Sequence, residues 1–167
     1  MKTNKLDAID KRILKKLQEN GRTSNVELAK IAGISAPPCL RRVNILEQNG
    51  YIDGYHADIN QLALGFEVTV YAHVTLSSVS PQARNAFKEK IIYYPEIREC
   101  YLMTGESDFL LKIITKDWEA YQDFVSMKLM ALEYVTHVNS SLTLKCLKKE
   151  AGIPLELLDN LKETYTS

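Results

Sequence analysis

The run Ser35-Ala-Pro-Pro-Cys-Leu-Arg-Arg-Val-Asn44 concentrates chemically useful side chains in the first third of the chain. Two adjacent guanidiniums, Arg41 and Arg42, present donor forks that match phosphate oxygens or guanine edges. Ser35 stands at the N-cap of the helix that this run predicts, with Pro37 and Pro38 at its N2 and N3 positions. Neither proline has an N–H to give, so the hydroxyl is less committed to capping and freer to meet a phosphate. Other candidate groups are dispersed. His56, His73 and His137 have no metal-ligand spacing and no adjacent acid–base pair. Cys39, Cys100 and Cys146 are odd in number, far apart and without a CxxC, so neither a disulfide framework nor a zinc ribbon is expected. Buried small hydrophobes are the expectation for all three.

Three short helices must position that run. The first starts at Asp7, with Asp10 in its first turn and Ile9, Ile13, Leu14 and Leu17 at helical spacing, and Asn20-Gly21 stops it. Ser24-Asn-Val-Glu27 is a capping-box pattern opening the second, whose apolar side is Val26, Leu28, Ala29, Ile31 and Ala32. Gly33 closes it. The third follows from Ser35 to Asn49-Gly50, with Leu40, Val43 and Leu46 expected inward. That leaves Arg41, Asn44, Ile45 and Gln48 outward and Arg42 on the flank. Two short helices joined by a tight glycine turn form a helix-turn-helix, whose second helix is the one presented to DNA. Geometry and charge alone leave open a three-helix unit that merely packs.

Composition bounds the rest. The chain has 167 residues, 46% apolar and 25% charged, within the ordinary globular range and long enough for one domain or two small ones. No apolar run approaches the roughly 20 residues a membrane span needs. No apolar stretch follows the charged N-terminus, so a signal peptide is not expected and the cytoplasm is the expected address. Formal net charge is zero, with 21 basic against 21 acidic side chains, which taken whole argues against a nucleic-acid partner. The distribution reverses that reading. Residues 1–50 hold ten basic side chains against five acidic, and residues 61–167 hold 11 against 14.

The second half is β-rich. YIDGYHADIN reads as a short strand or wing leading into a linker, and Asn60–Gly65 as a hinge. From Phe66 the residues alternate: Phe66, Val68, Val70, Ala72, Val74 and Leu76 on one face, Glu67, Thr69, Tyr71, His73 and Thr75 on the other. Ser80-Pro81 opens a helix with a stripe of Ala83, Phe87, Ile91 and Tyr94, ended by Pro95. Strands are predicted over Ile97–Thr104 and Phe109–Thr115, a helix capped by Asp117 with Tyr121, Phe124, Val125 and Leu129 inward, and a last strand over Val135–Leu147. Pro154 opens a short helix carrying Leu155, Leu157, Leu158 and Leu161, expected in a core or interface. The order βαββαβ is ferredoxin-like, with two helices on one face of a four-stranded sheet. The uncovered face then needs a partner, and a homodimer is the expected solution. The fold class is therefore α+β: a winged helix-turn-helix domain over 1–53, a linker over 54–65, and a ferredoxin-like domain over 66–167.

The run LDAIDKRILKKLQENGRTSNVELAKIAGISAPPCLRRVNILEQNGYIDGY, together with ECYLMTGESDFLLKI, resembles the Lrp/AsnC family of transcriptional regulators over about residues 5–150. The resemblance implies a DNA-binding helix-turn-helix followed by a ligand-sensing, oligomerising domain called RAM. It further implies dimers that assemble to octamers or larger, and an amino-acid effector such as leucine or methionine bound between dimers. Carried onto this chain, it makes Ser35, Pro38, Arg41, Arg42 and Asn44 of SAPPCLRRVN the DNA-reading residues, with Arg22, Asn25 and Lys30 as phosphate neighbours. The effector loop falls on Gly105, Glu106, Ser107 and Asp108, flanked by Tyr101 and Met103. Its partner is the last strand, with Val138, Asn139, Ser140, Ser141, Leu142 and Thr143. Gly105 permits a tight turn whose amides can face a carboxylate, and Asp108 is an anion suited to an α-ammonium, although aspartate also serves as a turn cap. The sequence departs from the leucine-responsive type at Ser140 and Ser141, where a threonine and an aromatic are common.

Two other readings belong to different classes. One is an enzyme similar to the haem-pathway decarboxylases, which share the fold and use His and Arg around a tetrapyrrole. The scattered histidines and the intact Arg41-Arg42 pair weigh against it. The other is an amino-acid-binding module without DNA binding, opposed by the basic balance of residues 1–50. No cofactor or metal is expected in the DNA-binding reading.

Overall fold

Asp7 opens the first helix, α1 (Ala8–Glu19), by accepting the amides of Ile9 and Asp10, each at 2.8 Å. Asp10 returns the bond by accepting the Asp7 N–H at 3.2 Å, so the reciprocal capping box forms here. At α2 (Asn25–Ala32) only its forward half forms, with Ser24 accepting the Glu27 amide at 3.3 Å. Gly33 ends α2 in the left-handed conformation, φ 74°, which turns the chain within two residues into α3 (Ala36–Gln48). Ser35 makes no side-chain cap bond, as the two prolines require.

The computed structural model describes residues 6–150 and 152–158, and these divide into two compact units. The first contains the three helices around Ile13, Leu28, Ala29, Ala32, Cys39, Val43 and Leu46. Val43 and Leu46 of α3 point inward as expected, but Cys39 takes the third inward position in place of Leu40, which is 51% exposed. Val26 and Ile31 also point outward, because Leu28, Ala29 and Ala32 alone fill the narrow inward side of the two-turn α2. No strand forms over 52–60, so the expected wing strand is absent: every strand among the described residues belongs to the one sheet of the second unit.

The C-terminal segment also departs from expectation. The described residues from Lys148, 148–150 and 152–158, pack with the first unit, not with residues 66–147. Gln18 holds Ile153 through both backbone groups, donating to its carbonyl at 2.9 Å and accepting its amide at 3.0 Å. Lys15 pairs with Glu156 at 3.0 Å and Lys149 with Asp58 at 2.6 Å. The turn Leu155–Leu158 buries Leu155 while Leu157 stays exposed; Leu161 lies outside the described residues.

The second unit follows the βαββαβ order: β1 (Val68–Leu76), α4 (Pro81–Ile91), β2 (Ile97–Leu102), β3 (Phe109–Thr115), α5 (Trp118–Asp123) and β4 (Val135–Leu142). All neighbours are antiparallel in the order β2-β3-β1-β4, as the ferredoxin-like topology requires. Val70, Ala72, Val74 and Leu76 of β1 meet Phe109, Leu111 and Ile113 of β3 under Phe87 of α4 and Tyr121 of α5. Beyond α5 the chain widens into a π-helix over Phe124–Leu129. β4 is five residues shorter than expected because its partner runs out. Thr143 bonds to Thr69 near the start of β1, and residues 143–150 form no regular structure. Phe87 is 2% exposed and stacks on Phe109 at 4.5 Å between ring centroids. Phe87→Ala should cost about 3–5 kcal/mol, read as a lower urea midpoint for loss of the near-ultraviolet circular dichroism signal.

Candidate nucleic-acid interface and effector segment

The outward side of α3 carries Pro37, Leu40, Arg41, Asn44, Ile45 and Gln48, with Ser35 at its start. Arg41 and Asn44 are exposed, and neither side chain has a partner among the described residues. They sit one helical turn apart, a spacing that lets a guanidinium and an amide address neighbouring base edges. Pro38 is half-buried at the first turn, and Arg22 and Lys30 are exposed at the two ends of the α2 region.

Two sequence-predicted contacts are engaged inside the fold instead. Arg42 donates to Asp7 and to Asp10, both at 2.7 Å, and so ties α3 to the start of α1. The N–H of Asp10 first, and the Arg42 guanidinium with it, hold the Asp7 carboxyl below the usual carboxylate range. Asn25 donates to the Ala36 carbonyl at 2.9 Å, bracing the turn between α2 and α3. Both are positioning residues for the reading helix, as is Arg12, which sequence reasoning missed and which donates to the Ala32 carbonyl at 2.8 Å. A basic residue one turn from the stripe is ambiguous in sequence between surface charge and a helix-end clamp.

The segment expected from the sequence to hold the effector is the turn from β2 to β3. Its base is pinned by Met103 N–H to the Asp108 carbonyl at 2.8 Å and Asp108 N–H to the Val74 carbonyl at 2.9 Å. Gly105 adopts φ 121°, a conformation only glycine takes without strain, and leaves Gly105 and Glu106 exposed at the tip. Asp108 does not project from this turn as an anion. It is 9% exposed and accepts the Leu76 amide at 2.9 Å, closing the end of β1.

The β-sheet alternation also divides the other predicted residues. Ser141 lies opposite Tyr71 and Asn139 opposite His73, on the face away from the helices. There His73 Nδ1 meets Ser107 Oγ at 3.1 Å, joining the turn to the sheet. Tyr101 is on the same face, donating to Glu99 at 2.8 Å, and Lys112 donates to Glu99 at 2.7 Å, which lowers the Glu99 carboxyl pKa. Val138 and Ser140 point the other way, and Ser140 is hydrogen-bonded to the Tyr121 hydroxyl beneath α5. Thr143 follows the strand, half-buried. Tyr71 and His73 are the additions the structure makes to the segment. Their signal was present as the polar half of an alternating strand. Of the cysteines, Cys39 is buried as expected, but Cys100 and Cys146 are exposed, Cys100 on the edge strand β2 and Cys146 in the irregular stretch after β4.

A winged helix-turn-helix DNA-binding model matches residues 6–53, and the Lrp/AsnC ligand binding domain matches residues 69–153. The leucine-responsive regulatory protein of Rhizobium meliloti is 45% identical over 150 residues, covering 90% of this chain and 96% of that one. The chain belongs to the Lrp/AsnC family of transcriptional regulators. A transcriptional regulator from Neisseria meningitidis, solved as a complex with L-methionine, superimposes with a TM-score of 0.88 at 34% identity, over 92% of this chain and 99% of that one. AsnC of Escherichia coli superimposes with a TM-score of 0.81 at 26% identity, over 90% and 99%. The α+β fold, the helix-turn-helix and the DNA-binding regulatory role expected from the sequence are thereby established for this Lrp/AsnC protein. The relatives are named as transcriptional regulators, not as enzymes.

Two substitutions separate reading from bracing in this Lrp/AsnC chain. Arg41→Ala should weaken operator binding by about 1–3 kcal/mol and leave the melting temperature unchanged. Arg42→Ala should lower stability by about 1 kcal/mol, because it breaks a partly exposed two-carboxylate cluster. The folded Asp7 carboxyl has a depressed pKa, so its contribution is present above the unfolded value of roughly 3.9 and is lost as pH falls through the folded value. Wild type and Arg42→Ala should therefore converge in thermal melts at low pH. At the effector turn, Asp108→Ala should cost about 1–3 kcal/mol by stranding the Leu76 amide, whereas Asp108→Asn, which keeps an acceptor, should remain within about 0.5 kcal/mol of wild type in urea titration.

Proposed function

We propose that this chain binds operator DNA as a homo-oligomer whose DNA affinity is set by an apolar amino acid, leucine or methionine, held at the Gly105–Asp108 turn. The observation that carries the DNA-reading part is the pair Arg41 and Asn44, exposed and unpartnered on a helix whose start is freed by Pro37 and Pro38. Ser35, Pro38, Lys30 and Arg22 serve the phosphates beside them. Two such helices in one dimer would occupy successive major grooves, about 34–36 Å apart.

The effector part rests on the turn itself. Backbone amides at Gly105 and Glu106 are accessible to a carboxylate, and Ser107, His73, Asn139 and Ser141 supply neutral polar groups beside them. With Asp108 engaged at Leu76, the acid left at the turn for an α-ammonium is Glu106. The methionine complex of the Neisseria regulator supports this class of ligand. The oligomer is supported by the sheet face carrying Tyr71, Leu110 and Tyr101, which lies opposite the face packed by α4 and α5, and by Leu144 and Leu147, 94% and 88% exposed after β4. The cytoplasm is the matching compartment.

An electrophoretic mobility shift with the DNA upstream of the protein's own reading frame, repeated with each of the twenty amino acids, tests the proposal. Retardation that L-leucine or L-methionine changes at least several-fold is expected, with light scattering reporting a mass above the monomer. No retardation at any protein concentration would overturn the DNA reading, and retardation indifferent to all twenty would overturn the effector reading.

A further inference from the structure

The second unit contains a cavity of about 400 Å³ on its helical side, and none of its lining residues belongs to the Gly105–Asp108 turn. Its volume falls within the range of small-molecule sites, roughly 300–1,000 Å³. Phe87 of α4, Tyr94 and Leu132 give it an apolar lining, to which Met127, itself 71% exposed, also contributes. Two charged side chains stand at its rim: Lys90, in the last turn of α4, and Glu133, just before β4. Among the described residues neither side chain has an ion-pair or hydrogen-bond partner. The other cation lining the cavity, Lys128, is neutralised by Glu96 at 2.6 Å and lies 5.8 Å from the centre of the Tyr94 ring and 5.7 Å from that of Phe124.

The backbone is specialised at this place. Where α5 would continue, the chain takes the wide π-helical turn of Phe124–Leu129, in which Met130 N–H bonds to the Val125 carbonyl five residues back. Such turns are uncommon, and they are found disproportionately at functional sites. Here the turn keeps Phe124 and Leu129 in the core, and Met127 and Lys128 between them line the cavity.

We infer that this cavity is a second small-molecule site, for a free α-amino acid with a large apolar side chain. One unpaired ammonium, one unpaired carboxylate and an aromatic-aliphatic lining complement one carboxylate, one α-ammonium and one apolar side chain. A plain fatty or aryl acid would leave Glu133 facing it uncompensated, and an amine would do the same to Lys90. The inference shares no residue with the Gly105–Asp108 turn and stands or falls separately from it.

The sequence contains four methionines, and two of them report the two places: Met127 lines the cavity and Met103 the effector turn. Titration of the full chain, labelled with [methyl-13C]methionine and assigned through Met127→Leu and Met103→Leu, should show the Met127 methyl resonance moving saturably with L-leucine. 4-Methylpentanoate and 3-methylbutylamine, which each lack one charge, and glycine, which lacks the side chain, should bind at least about tenfold more weakly. Lys90→Gln and Glu133→Gln, both at exposed positions, should each weaken the Met127 response at least about fivefold while circular dichroism stays unchanged. A Met127 resonance unmoved up to about 20 mM L-leucine would overturn the inference. So would a response equal for the singly charged analogues, or one preserved in both variants. Movement of Met103 alone overturns the second site and leaves the effector turn standing; movement of Met127 alone does the reverse.

Discussion

Burying one side of β1 constrains nearly everything else in the ligand-binding unit. Val70, Ala72, Val74 and Leu76 are at most 6% exposed, and the pleat then obliges Thr69, Tyr71, His73 and Thr75 to point the other way. Every partner strand inherits that division through its register. Ser140, opposite Ala72, goes under α5 to Tyr121, while Ser141, opposite Tyr71, goes to the open face. A one-residue slip of β4 would exchange them. The effector turn is tied into the same constraint, because Asp108 and its amide secure the end of β1 through Leu76 and Val74. The charge that looks most available for a ligand is thus part of the edge that holds the strand in register.

The DNA-binding unit shows a comparable division of its charges. Of the cations in its helices, Arg42 joins α3 to α1, Arg12 closes α2, Lys15 holds the returning C-terminal turn and Lys16 pairs with Glu19 at 3.7 Å. What remains toward a partner is a smaller set, Arg41 and Lys30 of the helices with Arg22 in the turn before α2. Bracing and reading use the same residue types, so adjacent arginines can have opposite jobs. The internal pairs matter for reading all the same: they hold α3 to α1 and α2, and its exposed stripe is only as well aimed as the helix that bears it.

The elements themselves were legible because their signals are local. Asp7, Ser24, Ser80 and Asp117 all cap the helices they were expected to start, and strict alternation from Val68 placed β1 on the correct face. Side-chain commitments across the chain were less legible. Whether Leu40 or Cys39 fills the inward position depends on the packing of three helices at once, and both spacings satisfy a helical stripe. The strand expected in the segment after Gly50 did not form, because a strand needs a partner, which a single-segment reading cannot supply. The same reason shortened β4. Asp108 was legible as an important acid but not as a strand cap, since its acceptor role is set by the Leu76 amide 32 residues away. The return of the chain from Lys148 to α1 rests on Gln18, Lys15 and Asp58, polar residues with no periodicity to mark them.

Zero net charge can now be interpreted physically. A head with few free cations neutralises few phosphates, and each neutralised phosphate contributes about one to the slope of log affinity on log salt. One head alone therefore binds weakly and loses what it has as salt rises. In the proposed homo-oligomer, linking several heads would make each later contact intramolecular, and local concentration would then replace charge as the source of affinity. Occupancy in that proposal depends steeply on assembly, so a ligand that changed assembly even modestly would change DNA binding strongly. A more basic head would bind alone and lose that dependence. The acidic balance of the second unit, eight basic against ten acidic side chains over residues 59–147, fits the same design, because a ligand-binding unit that is itself negatively charged does not add nonspecific attraction to the duplex.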